Sequence, residues 1–242
     1  MNGGKHMNKK WKDALREVYR APAPERKAAF LKQHRRLELG RWEVTVLQIR
    51  YIRWWVWPLS LALSGFILIT ATLSADSAPW YISALTPFLS LLVITENGRA
   101  QLYQMEELEL ACRMSRQSVM LARMAALGLF HLMLFCLLMP LLAVWSTVGA
   151  AQAGVYLLTP YLLVAALGME LTRRIRGREG LFACGAMAAA VSVSEPLAAN
   201  FKPALYQLEN LIWWEAALAA AMTAAAVEFA LNVKNMEELQ WN

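Results

Sequence analysis

The sequence predicts an all-α membrane protein that crosses the bilayer six times, with both termini in the cytoplasm. Hydrophobic residues make up 58% of the 242 residues and the mean hydropathy is +0.35, above what a soluble domain usually reaches. Six stretches of the chain are uncharged or nearly so. All basic residues except Lys202 lie before the first stretch, between the second and third, between the fourth and fifth, or after the last. These segments share one side of the membrane, and an excess of Lys and Arg is typical of the cytoplasmic side.

Each apolar stretch justifies one predicted span, since a helix needs roughly 20 apolar residues to cross a bilayer core. The first, third and sixth stretches reach that length, whereas the others are shorter or contain Pro or Gly. Strand-like alternation is absent from the sequence, which favours helices over a barrel. In chain order the stretches are Trp54 to Ser74, Ala78 to Thr95, Met124 to Trp145, Val155 to Leu171, Gly180 to Ser194, and Leu211 to Leu231.

The predicted spans divide the chain into three regions. A basic N-terminal region, 1–53, precedes the six-helix transmembrane domain, 54–232, and a cytoplasmic tail, 233–242, follows it. The net charge of +6 is concentrated at membrane ends, which favours contact with anionic lipid over nucleic-acid binding. The basic region is expected to be either a charged tail that orients the protein or an amphipathic helix at the interface that leads into the first span.

The loop between the second and third predicted spans, about 97–123, is rich in helix-forming residues. The glutamates at 106, 107 and 109 precede the arginines at 113, 116 and 123, which complements the helix dipole, and Glu109 and Arg113 form a favourable i,i+4 pair. Exposed pairs stabilise a helix by only about 0.2–0.5 kcal/mol each, so we interpret the charges as a docking surface for a soluble partner. The alternative is a solvated extension of the two spans. The predicted partner-binding residues are Gln104, Glu106, Glu107, Glu109, Arg113 and Arg116.

The complete topology resembles the permease subunit of ABC-2-type transporters, and three short segments are similar to small bacterial permease-like proteins: Tyr19 to Pro24, Tyr51 to Arg53, and Met105 to Leu110. The resemblance implies that the lead-in is an elbow helix and that the segment from Gln104 to Arg116 is a coupling helix. It also implies a bacterial inner-membrane location, a separate ATP-binding cassette subunit that binds ATP and Mg²⁺, and a second permease copy or a sister permease.

The same resemblance implies a re-entrant helical hairpin on the outer face, between the fifth and sixth spans. The segment Ser194 to Pro196 is expected to break the fifth span before it. Glu195, Lys202 and Glu215 would then line an exit gate or a translocation path. The plainer alternative is a short outer loop capped by proline.

Five ionisable groups at membrane depth need a separate explanation. Four of them are glutamates near the ends of predicted spans, where snorkelling or pairing with Arg99, Arg173 or Arg174 reduces the cost of their charges: Glu96, Glu170, Glu215 and Glu228. His131 is the only histidine in a predicted span. We expect it to be a hydrogen-bonded packing residue rather than a catalytic one.

Several sequence motifs that particular functions require are absent from the chain. It has no Walker A pattern, so ATP hydrolysis is expected on a separate subunit and no cofactor in this chain. It has neither an HExxH nor a GxSxG sequence, so we expect no enzyme activity and no metal site. The function predicted first is therefore the permease of an ATP-driven exporter. The rivals are a non-transporting membrane protein that docks or regulates a cytoplasmic partner, and a secondary transporter, which inverted repeats would support.

Overall fold

The computed structural model describes residues 49–73, 78–99, 116–146, 148–175 and 177–241, together with Trp11, Ala14, Leu15, Val46 and Tyr103. The chain divides into two compact units, Met1–Leu39 and Gly40–Asn242. The architecture below is that of the second unit. Most of the predicted basic region, and with it the predicted elbow helix, lies outside the described residues.

Helices account for the regular structure of the described ranges, which contain no β-strand. Each of the six predicted apolar stretches forms one long helix, and two single-turn 3-10 helices, Pro203–Tyr206 and Leu208–Asn210, join the last two. The long helices are α1 (Val56–Leu73), α2 (Ala78–Asn97), α3 (Arg116–Trp145), α4 (Ala150–Arg174), α5 (Arg178–Phe201) and α6 (Leu211–Trp241).

Five segments are long and apolar enough to cross a membrane. They comprise α1, α4 and α5 in full, Val119–Trp145 within α3, and Leu208–Lys234, which covers most of α6. The chain is therefore an all-helical protein of the multi-pass membrane type, as predicted. The second predicted span corresponds to α2, which is outside this set and ends on the polar pair Glu96 and Asn97.

The predicted break of the fifth span at Ser194 to Pro196 is wrong. The helix α5 continues through Pro196 and ends only at Phe201. Proline removes one backbone N–H from the helix, but helices of membrane proteins tolerate that loss where neighbouring groups compensate. The connection to α6 is accordingly short, and its two 3-10 turns take the place of the expected re-entrant hairpin.

The helix α4 lies at the centre of the bundle and packs against α2, α3, α5 and α6. Small residues allow helices to approach closely in lipid, and Gly168 of α4 illustrates this. A Cβ added there would be 2.2 Å from Cδ1 of Ile94 on α2. Buried side chains from α1 to α4, among them Ile67, Leu89 and Phe135, form the main apolar core.

A tight turn joins α4 to α5 and depends on two glycines. Gly177 has φ of +83°, in the left-handed region that side chains other than that of glycine rarely adopt. Three residues later, a Cβ on Gly180 would be 2.2 Å from the carbonyl oxygen of Ile175. The turn thus holds the start of α5 against the backbone that leaves α4.

The helices α5 and α6 leave most of their surfaces uncovered by the rest of the described chain. The apolar side chains of Phe182, Val193, Trp213 and Val227 are each more than half exposed. Of the small residues that recur every four positions along α6, Ala221 is buried. In a membrane protein such faces are suited to contact with lipid or with another subunit.

Candidate functional site

The bundle has a basic end, where α1 begins and where α2 and α4 finish, and Glu96 is its central side chain. Glu96 lies in the last turn of α2 and its side chain is 3% exposed. Its Oε2 is 3.3 Å from Nη1 of Arg99 and its Oε1 is 3.9 Å from Nε of Arg53. A carboxylate at that depth is stabilised by paired charge and hydrogen bonds, so one acid holds two guanidinium groups together.

The two guanidinium groups join three stretches of chain that are far apart in sequence. Arg99 donates a hydrogen bond of 3.1 Å to the carbonyl of Tyr51, in the lead-in to α1. Arg53 donates to the hydroxyl of Tyr103, and its Cζ lies 5.7 Å and 5.8 Å from the ring centroids of Tyr103 and Trp55. The start of the predicted coupling loop is thereby fastened to both α1 and α2. We call Tyr51, Arg53, Glu96, Arg99 and Tyr103 the loop anchor.

Two more ion pairs lie at the same end of the bundle. Arg173 of α4 donates to both carboxylate oxygens of Glu228 on α6, at 2.9 Å and 3.1 Å. Arg174 pairs with Glu170 four residues earlier on α4, and its side chain is 71% exposed. The expectation that the glutamates near span ends pair with nearby arginines is confirmed for Glu96, Glu170 and Glu228.

His131 occupies the interior of α3 and is fully buried. Its Nε2 is 3.0 Å from the hydroxyl of Ser60 on α1, and its Nδ1 is 3.2 Å from the hydroxyl of Tyr161 on α4. A neutral imidazole has one donor and one acceptor nitrogen, and each of them has a hydroxyl partner here. The predicted role of His131 in hydrogen-bonded packing is confirmed.

At the opposite end, a chain of hydrogen bonds holds the 202–210 connection against α4 and α5. Gln152 donates to the hydroxyl of Tyr156, which in turn donates to the backbone carbonyl of Tyr206. The Tyr206 hydroxyl donates to the carboxylate of Glu195. Trp214 of α6 donates to the carbonyl of Leu205 at 2.9 Å and packs its ring against Tyr156 and Tyr206.

Of the three predicted gate residues, Glu195 alone belongs to this hydrogen-bonded network. Lys202 is exposed between α5 and the first 3-10 turn, and Glu215 is exposed on α6. No hydrogen bond or ion pair joins these three side chains in the described part of the chain. The predicted docking residues Gln104, Glu106, Glu107, Glu109 and Arg113 lie outside the described residues, and Arg116 is described only as the first residue of α3.

We expect Tyr206→Phe to loosen the 202–210 connection by removing the hydroxyl and nothing else. The change leaves the partly buried Glu195 carboxylate without that donor, which costs about 1–3 kcal/mol of unfolding free energy. Thermal unfolding in detergent, followed by tryptophan fluorescence, measures the loss. Tyr81→Phe is the matched control, because no hydrogen bond of the Tyr81 hydroxyl is among those of the described residues. A Tyr206→Phe variant as stable as the wild type would contradict a role for the hydroxyl.

The same pair gives a pH dependence with a defined sign. Burial raises the pKa of Tyr206 above its ordinary value of 10.0, and the neighbouring Glu195 carboxylate raises it further. A folded-state pKa above the unfolded value favours the protonated hydroxyl in the folded protein. This contribution to stability is therefore complete below pH 10 and declines as the pH rises above it. The stability advantage of wild type over Tyr206→Phe should shrink in that range.

The sequence did not predict the contacts between distant residues at either end of the bundle. Nothing near Arg53 in sequence indicated a partner 43 positions away, although Glu96 at the end of an apolar stretch signalled that some cation must approach it. The aromatic residues Tyr156 and Tyr206 carried no signal, because isolated tyrosines are common in spans and loops alike.

Comparisons with protein families, with curated proteins and with solved structures gave no match for this chain. Among the described residues, no three His, Cys, Asp or Glu side chains come together as metal ligands. The contacts that the described residues make at the two ends are ion pairs, hydrogen bonds and aromatic contacts.

Proposed function

We propose that this chain is the membrane-spanning permease subunit of an ATP-driven, ABC-2-like exporter that works with a separate ATP-binding subunit. The observation that carries the proposal is the loop anchor. A loop that receives force from a soluble subunit needs a stiff attachment to the transmembrane helices. Buried Glu96, with Arg53 and Arg99 on either side, supplies such an attachment at the base of the 97–123 loop.

In this proposal α2 also crosses the membrane, which brings the number of spans from five to six, and both termini are cytoplasmic. The helix α2 packs against α1, α3, α4 and α5, so it meets lipid less than a peripheral helix does. A helix surrounded by protein can carry more polar residues than one that faces lipid. The basic end then faces the cytoplasm of a bacterial cell, in agreement with the excess of Lys and Arg in its loops.

The proposed mechanism is mechanical. ATP-driven closure of the partner subunits moves the segment from Gln104 to Arg116, and the loop anchor transmits the motion to α1 and α2. Because α2 packs against the central helix α4, the displacement reaches the bundle as a whole. Such coupling requires two conformations that ATP favours differently.

The outer gate in this proposal is the 202–210 connection. Tyr206 and Glu195 keep it against α5, and Trp214 keeps it against α6. Opening requires those hydrogen bonds to break together, while Lys202 and Glu215 remain exposed beside the connection.

The decisive experiment tests association with an ATPase. Tagged full-length chain is purified from bacterial membranes in mild detergent, its partner is identified by mass spectrometry, and ATPase activity is measured. We expect a variant carrying Glu106→Lys, Glu107→Lys and Arg113→Glu to lose the partner and the activity by about tenfold or more, since like charges across an interface cost several kcal/mol.

The chain contains a matched control for this variant. The tetrapeptide Met-Glu-Glu-Leu occurs at 105–108 and again at 236–239, so Glu237→Lys with Glu238→Lys reverses the two glutamate charges of the loop variant in the same local sequence, without a counterpart of Arg113→Glu. The tail variant should retain partner and activity. Equal loss in both variants, or unchanged association in the loop variant, would remove the argument for this loop.

A non-transporting membrane protein that docks a cytoplasmic partner would use the same loop anchor. The two functions differ in the partner, because a regulator would bind a protein without nucleotide-dependent activity. An isolated partner that neither binds nor hydrolyses ATP would favour this second function.

A further inference from the structure

The exposed side of the loop anchor has the composition of a lipid headgroup site. Arg53 and Arg99 are each 32% exposed, whereas the Glu96 side chain between them is 3% exposed. The acid is thus beneath the surface and the two guanidinium groups are at it. With one negative charge against two positive charges, the surface retains net positive charge, and the exposed Arg50 adds to it.

The position of this surface along α1 determines what can reach it. Arg53 lies three residues before Val56, where a helix long and apolar enough to span a membrane begins. Next to it, Tyr51, Trp54 and Tyr103 are 67%, 81% and 51% exposed. Exposed Trp and Tyr at the end of a span are typical of the headgroup layer of a bilayer.

The guanidinium groups are also held in place before any ligand arrives. The Arg53 guanidinium contacts the rings of both Trp55 and Tyr103 and donates to the Tyr103 hydroxyl. Arg99 is fixed by the Tyr51 carbonyl and by Glu96. Each guanidinium has five N–H donors, of which these contacts use a part, and its planar arrangement of donors matches phosphate oxygens.

We propose that Arg53 and Arg99 bind the phosphate of an anionic phospholipid, with Tyr51, Trp54 and Tyr103 in the surrounding headgroup layer. A zwitterionic headgroup carries its own ammonium group and so gains less from the net positive charge than an anionic one. The continuity of the aromatic residues with α1 favours a lipid over a soluble anion. This site depends on the membrane character of the chain and is independent of the proposed transport function.

The experiment measures lipid binding to the purified full-length chain by native mass spectrometry, with phosphatidylglycerol or phosphatidylcholine added in detergent. We expect phosphatidylglycerol to be preferred, and Arg53→Gln or Arg99→Gln to weaken its binding about fivefold each. The matched control is Arg174→Gln, which removes an arginine from the same end of the bundle and should leave the binding within about twofold, since Arg174 is a separate, largely exposed side chain.

Other results would overturn the proposal. Equal binding of phosphatidylglycerol and phosphatidylcholine would do so. Equal losses of phosphatidylglycerol binding in Arg53→Gln, Arg99→Gln and Arg174→Gln would also do so, because they would indicate an effect of general surface charge. Competition by millimolar inorganic phosphate without lipid preference would identify a free-anion site in its place. Should the Arg→Gln variants fail to fold, Arg53→Lys and Arg99→Lys decide: each keeps the positive charge but loses the planar set of donors, so phosphatidylglycerol binding should still weaken, whereas unchanged binding would contradict the site.

Discussion

Replacement of Gly180 by alanine is expected to destabilise the protein by about 3 kcal/mol or more, in the range of strongly strained substitutions. The added Cβ would lie 2.2 Å from the carbonyl oxygen of Ile175, where ordinary contact begins near 3.4 Å. The obstacle is backbone rather than a side chain that can rotate away, so the turn between α4 and α5 has to move. The preceding Gly177 already has a φ of +83°, in the left-handed region that only glycine adopts readily.

The control for this prediction is Gly128→Ala, within α3. A Cβ at Gly128 meets nothing within 4 Å, and alanine is the better helix former by about 1 kcal/mol. Gly128→Ala should therefore match or slightly exceed the stability of the wild type. Unfolding in detergent, followed by circular dichroism, compares the two. Similar stability for both variants would show that the turn accommodates a side chain at position 180.

Replacement of Glu96 by glutamine is expected to cost about 1–3 kcal/mol, because it removes the charge while keeping the shape. Two guanidinium groups then face one another without the carboxylate between them. Both arginines are 32% exposed, so solvent screens part of their repulsion and the cost stays below that of a fully buried pair. The melting temperature of the purified protein reports the change.

Glu170→Gln provides the comparison at the same end of the bundle. Its partner Arg174 is four residues away on the same helix and 71% exposed, and exposed pairs contribute about 0–1 kcal/mol. The ratio of the two losses isolates the effect of burial, since the chemical change is identical. If Glu170→Gln proved as damaging as Glu96→Gln, the loop anchor would have no special structural role.

The sequence predicted those features that depend on local composition. The six long helices follow from six apolar stretches, and the pairing of Glu96 with Arg99 follows from their i,i+3 spacing. The break predicted at Pro196 failed for a related reason, because a local rule about proline takes no account of the neighbouring helices.

The sequence did not reveal contacts between residues that are distant along the chain. Arg53 meets Glu96, and Tyr206 meets Glu195, only once the helices have packed. No spacing rule connects such pairs, since the packing of whole helices decides which faces meet. The docking role of Glu106, Glu107 and Arg113 stays a prediction that the loop variant tests.

The two hydroxyl contacts of His131 have a consequence for how the bundle can move. If α1 slid past α3, or α3 past α4, the imidazole would lose its hydrogen bond to Ser60 or to Tyr161. Polar atoms would then be unpaired in an apolar interior, at a cost on the order of several kcal/mol. Displacements that carry the three helices as one rigid body avoid that cost. Any conformational cycle should therefore leave the boundaries among α1, α3 and α4 intact and place its shear elsewhere in the bundle.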